Sequence, residues 1–117
     1  MEHVLLSTNM IDTTLAMLNR ALQYGYARQN VIAHNIANAN TPQYKTLDLL
    51  ADFESKTQQF KPFYVLYTGV TNLDGNNVNV ELESLKSMYT TLYTQTILDF
   101  MRSKYDRLKS AISERVV

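Results

Sequence analysis

Cysteine is missing from this chain, which excludes disulfides and thiolate metal sites and fits any redox compartment. Glycine is scarce: Gly25, Gly69 and Gly75 are the three present, and no phosphate-cradling loop can be built from them. The two histidines, His3 and His34, stand apart without metal-ligand spacing, and His34 reads as a polar helix residue. Neither charge sign is in excess, with 11 Lys plus Arg against 11 Asp plus Glu, so there is no electrostatic case for nucleic acid or an anionic membrane as the main partner. No apolar run approaches the ~20 residues of a transmembrane helix. A secretory leader is also absent from the reading: Glu2 stands where a basic residue belongs, and Val4-Leu5-Leu6 is too short. The chain therefore reads as cytosolic unless it is exported by a route that needs no such leader.

Asp48, Asp52 and Glu54 lie close in sequence, but a working carboxylate pair needs an apolar cleft to separate the two pKa values. The expected reading is a solvated acidic face. No catalytic residue, cofactor, metal ligand or small-molecule substrate is expected.

What is present is periodicity. The 117 residues fit one domain with a modest core. Ile11, Leu15, Leu18 and Leu22 are spaced four, three, four, and the rhythm continues through Gly25, Gln29, Ile32 and Ile36. That alternation predicts a helix over 10–39 with a coiled-coil seam, weakened where Gly25 and Gln29 interrupt it. Asn9 is its expected cap, Asp12 lies near the positive end of its dipole, and Thr41-Pro42 is its expected stop. A second helix is expected from about Val80 to Ile112, within a C-terminal segment 77–113. Its apolar face is Leu82, Leu85, Tyr89, Tyr93, Ile97, Phe100, Leu108 and Ile112, flanked by Leu92 and Met101. Asn77 or Asn79 caps it, Glu81 and Glu83 fill its first turn, and Arg102, Lys104, Arg107 and Lys109 crowd its last turns, as the helix dipole favours.

Two such helices, each spanning ~50 Å, make a rod rather than a globule. The fold class is thus mainly α: an antiparallel long-helix coiled-coil hairpin with a small irregular or strand-containing middle arm over 40–76. In that arm Leu49, Leu50, Phe53 and Phe60 suggest a short helix before Pro62, Phe63 to Tyr67 favour a strand, and Asp74-Gly75 signals a turn. Equal stepping along the hairpin sets Ile36 beside Leu82 or Leu85, Leu22 opposite Ile97 and Ile11 opposite Leu108.

One stretch is chemically unusual. Between Arg28 and Lys45 there is no charged side chain, and Asn30, Asn35, Asn38 and Asn40 punctuate it although asparagine is a poor helix former. Amides both donate and accept, so such a surface suits packing against copies of itself; a helix end fraying into an asparagine-rich loop fits equally.

The run His34-Asn35-Ile36-Ala37-Asn38-Ala39-Asn40-Thr41-Pro42-Gln43-Tyr44-Lys45 closely resembles the N-terminal signature of the flagellar rod and hook axial proteins, of the form NNIAN-x-NTPGYK. Arg28 to Ala33 also suits that family, and Asp74-Gly75-Asn76-Asn77-Val78-Asn79-Val80-Glu81 resembles the phrase preceding the C-terminal helix of a short rod member. The resemblance covers about residues 10–54 and 73–113. Gln43 replaces the usual glycine, which predicts a type I rather than a type II turn, His34 replaces an asparagine, and the middle segment is shorter and more hydrophobic than in the family.

The resemblance implies a structural subunit of the proximal basal-body rod, with paired terminal helices packed around a hollow, torque-transmitting shaft. It implies terminal regions disordered before assembly. It implies synthesis in the cytoplasm, export by the flagellar type III apparatus without a cleaved leader, and residence in the periplasmic basal body. Implied partners are other copies, other rod subunits and the rod-base adaptor. Asn35, Ile36, Asn38, Asn40, Thr41, Pro42, Tyr44, Asp74, Gly75, Asn76 and Asn77 are the expected assembly signature. Ile11, Leu15, Leu18, Leu22, Ile32, Leu85, Tyr89, Ile97 and Leu108 are the expected helix seam. A coiled-coil adaptor or regulator binding a partner helix is the alternative with the same seams.

Overall fold

The computed structural model describes residues 2–51, 62–66 and 69–116, with side chains over 13–50 and 69–114. Two helices dominate it: α1, Glu2–Ala37, and α2, Val80–Val116, with strands β1, Leu47–Ala51, and β2, Pro62–Leu66, between them. The helices pack on each other in a body 70 Å long and 26 by 15 Å across. No helix among the described residues is long and apolar enough to cross a membrane.

The antiparallel register follows equal stepping. Asn35 meets Glu83 and Gln29 meets Ser87, the Tyr24 and Tyr93 rings stand edge to face 6.1 Å apart, and Gly25 touches Thr94. Both helices run longer than expected at their outer ends. α1 begins at Glu2, so Asn9 lies within it rather than capping it. It also stops at Ala37, ahead of Thr41-Pro42, because Asn38 intercepts it. The Asn38 N–H bridges the His34 and Asn35 carbonyls, its side-chain amide donates to His34 O at 2.8 Å, and Thr41 N–H closes the next turn onto Asn38 O. For α2 the cap is Asn79, whose Oδ1 accepts the Leu82 N–H at 3.1 Å.

The seam is only partly where large apolar side chains would put it. On α1, Ala21, Gly25, Ile32 and Asn35 are buried and Leu15, Leu18 and Leu22 half-buried, whereas Ile36 has rotated outward; the drift of 3.6 against 3.5 residues per turn moves the stripe this way. On α2 the residues turned from solvent alternate by four and three through Glu83, Ser87, Thr90, Thr94, Ile97, Met101, Lys104 and Leu108. Ile97 and Leu108 therefore sit in the seam. Leu85 and Tyr89 do not: they are 62% and 65% exposed, because the first half of the α2 seam is polar and small and its large apolar residues face away. Phe100, Leu92 and Ile112 are exposed as well. Gly25 does not weaken the pairing. A Cβ there would lie 2.6 Å from Thr94 Oγ1, so the missing side chain lets the helices approach. The Ile11 side chain lies outside the described residues.

In the arm, Leu49 and Leu50 belong to a strand and not to a short helix. β1 pairs antiparallel with β2, Leu47 opposite Leu66 and Ala51 opposite Pro62, so backbone pairing with the β-rich Phe63–Leu66 stretch wins over helical spacing. The alternation of a strand puts Leu49 inward, 1% exposed, and Leu50 outward. Phe53, Phe60, Tyr67, Asp52 and Glu54 lie outside the described residues.

Candidate functional site

The two asparagine-rich phrases fold onto each other. The turn at Thr41–Tyr44 is closed by the Tyr44 N–H on Thr41 O, 3.3 Å, and Gln43 takes φ 64°. A positive φ at the third position belongs to a type II turn, so the type I expectation is corrected. What holds Gln43 there is its own N–H, which donates to Asp74 O at 2.9 Å. The second phrase also turns, with the Gly75 N–H on Asn72 O and φ 83° at Gly75, the last residue of that turn; a Cβ there would lie 3.2 Å from Gln43 Cα.

Asparagine amides rivet the two turns. The fully buried Asn76 donates from Nδ2 to the carbonyls of Asn38 and Thr41, both at 2.8 Å, while its Oδ1 accepts the Val78 N–H. Asn77 Oδ1 accepts both the N–H and the hydroxyl of buried Thr46, and the Asn77 N–H donates to Tyr44 O. The Lys45 ammonium donates to Gly75 O, and the Thr41 hydroxyl to Asn38 Oδ1. Asn40, Thr41 and Pro42 remain on the surface.

Asn35 is the pivot. It is fully buried; Nδ2 donates to Leu47 O at 2.7 Å and to Glu83 Oε2 at 3.1 Å, and Oδ1 accepts the Tyr44 hydroxyl at 2.8 Å and the Leu47 N–H at 3.2 Å. One side chain thus joins α1, the turn, β1 and α2, with every amide donor and acceptor used. These bonds all close within the chain. The Tyr44 hydroxyl has its pKa raised, first by burial and then by the charge of Glu83. His34, exposed beside it, packs against the edge of the Tyr44 ring.

A charged network continues from this pivot. Arg28 Nε and Nη2 grip the two oxygens of Asp48 at 3.2 and 3.3 Å, and Lys86 Nζ lies 3.5 Å from Asp48 and 3.2 Å from Glu83. Asp48 is therefore not part of a solvated acidic face. Burial pushes its carboxyl up, but the Arg28 hydrogen bond, the Leu49 N–H and the charges of Arg28 and Lys86 together hold it below the usual carboxylate value. Burial pushes Arg28 down, but the Asp48 hydrogen bond and charge, with the charges of Tyr24 and Glu83, together raise it. Sequence pattern does not mark Thr46 or Lys86, and it marks Glu83 only as a first-turn acid and Arg28 only as the edge of the uncharged stretch. The usable signal was Arg28 itself, since a single charge within an otherwise uncharged helical stretch asks for a partner.

The arrangement is a set of hydrogen-bonded amides and paired charges, which can fasten the elements to one another. No cluster of three or more metal-ligating side chains occurs among the described residues. Outside it, the large exposed side chains Leu85, Met88 and Leu92 cover successive turns of α2 away from α1. Contiguous exposed apolar surface of this kind marks an interaction face.

A long two-helix hairpin with an interaction face and a saturated clasp describes an assembling structural subunit. Comparison with known proteins agrees. Residues 17–45 match the family described as flagella basal body rod protein. The chain is 26% identical to the flagellar basal body rod protein FlgB of Bacillus subtilis, over 90% of this chain and 97% of that one. It is 27% identical to FlgB of Aquifex aeolicus over 85% and 92%, and 28% identical to FlgB of Aeromonas hydrophila over 86% and 93%. The chain is thus similar over most of its length to flagellar basal body rod proteins. It is a structural rod subunit of the flagellar basal body.

Proposed function

We propose that the chain builds the proximal part of the rod, with α1 and α2 packed along a hollow shaft that transmits torque. The observation that carries this reading is the near end-to-end similarity to FlgB proteins combined with an apolar face that the hairpin does not use on itself. Its role is mechanical and not catalytic. Other copies, other rod subunits and the rod-base adaptor are its neighbours, and the signature residues Asn35, Asn38, Asn76 and Asn77 serve assembly by fixing the shape of the subunit. The chain reaches its place through the flagellar type III export apparatus and resides in the periplasmic part of the basal body.

Deletion of the chain tests this reading. Basal bodies from the deletion strain should show membrane rings with no rod, and an ectopic copy should restore the rod. A complete rod in the deletion strain rejects the proposal. A stable complex with an unrelated soluble protein, in place of rod incorporation, is the result that favours the coiled-coil adaptor.

A further inference from the structure

Two surfaces of the hairpin are left without a partner among the described residues, and they differ in shape. The first is a ridge: Leu85, Met88 and Leu92, 62–69% exposed, lie on successive turns of α2 on the side away from α1. The second is a groove of about 220 Å³ on one flank, between the helices, lined by Tyr26, Gln29, Thr91, Thr94, Gln95 and Leu98. The opposite flank carries β1, tied to α1 through Tyr24 and Arg28 and to α2 through Lys86. The groove is the flank that β1 leaves bare. Gly25 brings the helices together behind Thr94, which floors the groove.

Charge selects the occupant. From Lys86 to Asp99 α2 has no charged residue between, and from Arg20 to Lys45 α1 and its turn carry only Arg28, which Asp48 neutralises. A charged partner finds no counter-charge on this band, whereas two copies meet there without like-charge repulsion. Ridge and groove are different surfaces of one chain, so their union is heterologous and propagates instead of closing into a pair.

We propose that the Leu85–Met88–Leu92 ridge of one copy seats in the Tyr26–Leu98 groove of the next. This rests on the rod reading above and adds the contact by which successive copies join. The ridge centres near Met88 and the groove near Gln95, so neighbouring hairpins are staggered by roughly 10 Å at ~1.5 Å of rise per residue.

The test is a double variant, Met88→Cys with Gln95→Cys, in a chain that has no native cysteine. Both positions lie on α2, roughly 10 Å apart along its axis, beyond the ~7 Å reach of a disulfide within one chain. In isolated rods under mild oxidation the double variant should give a ladder of dimers, trimers and higher multimers, and neither single variant should crosslink. Dimers from Met88→Cys alone would show the ridge meeting itself and overturn the proposal. A double variant that enters rods but stays monomeric overturns it too, and leaves the rod reading standing. Absence of the wild-type chain from rods overturns both. Independently, Leu92→Lys should keep the wild-type helix signal in circular dichroism and lower rod incorporation by about tenfold or more, as a charge buried at an apolar interface costs; undiminished incorporation contradicts the ridge.

Discussion

Gln43 holds a left-handed backbone conformation in which a Cβ costs roughly 1–2 kcal/mol. Gln43→Gly should therefore stabilise the protein, by about 1 kcal/mol after the extra freedom glycine gives the unfolded chain is subtracted, read as a shift in the denaturation midpoint. Asn35→Asp should do the opposite. It removes both donors to Leu47 O and Glu83 and sets a carboxylate against a carboxylate in a buried site, a loss of about 3 kcal/mol or more. Asn38→Asp loses one exposed bond to His34 O and places negative charge near a helix C-terminus, so its cost should stay at about 1 kcal/mol. Equal losses in the two variants, measured in the same denaturant series, would contradict the burial difference. Asp48 adds a pH dependence. Its carboxyl is more acidic in the folded than in the unfolded chain, so the unfolded chain binds the proton first as pH falls. The stability it contributes is complete above the ordinary carboxylate pKa of ~4 and is lost as pH drops through the lower folded value. Asp48→Asn should flatten the acid limb of the stability profile.

Between the helices, Thr90 is 2% exposed and its hydroxyl has no hydrogen-bond partner among the described residues. Thr90→Val keeps the shape and removes the desolvation cost, so thermal unfolding should rise by the equivalent of about 1 kcal/mol. Both helices, their pairing and the turn at Asp74-Gly75 were legible in the sequence because periodicity and turn chemistry are local. What was not legible was the face. Leu85 and Tyr89 were assigned to the seam because large apolar residues are expected inside, whereas Glu83, Thr90 and Thr94 occupy it. β1 was likewise hidden, since Leu49 and Leu50 become a strand only through β2. The signature words pointed to the family, but nothing in their spacing showed that Asn76 would bond Asn38 and Thr41 across the chain.

For the whole molecule the register is the quantity to check. Tyr24 against Tyr93 and Asn35 against Glu83 extrapolate to Leu22 beside Ile97. The pair Leu22→Cys with Ile97→Cys should crosslink within one chain under mild oxidation. Leu22→Cys with Leu82→Cys should not, because those sites lie roughly 22 Å apart along the hairpin at ~1.5 Å per residue. Efficient closure of the second pair and not the first would reject the antiparallel register.

The clasp around Asn35, Asn76 and Asn77 sits at one end of a 70 Å body, and beyond it the α2 seam continues through half-buried Ile97 at mid-length to Met101 and Leu108. Such a hairpin responds to force according to direction. Drawn apart at its open end, it surrenders contacts one after another, as a zipper does. Loaded lengthwise, with one helix urged past the other, it must break the clasp and the seam together. The subunit is thus compliant to peeling and stiff to shear, the anisotropy a turning shaft demands of its staves.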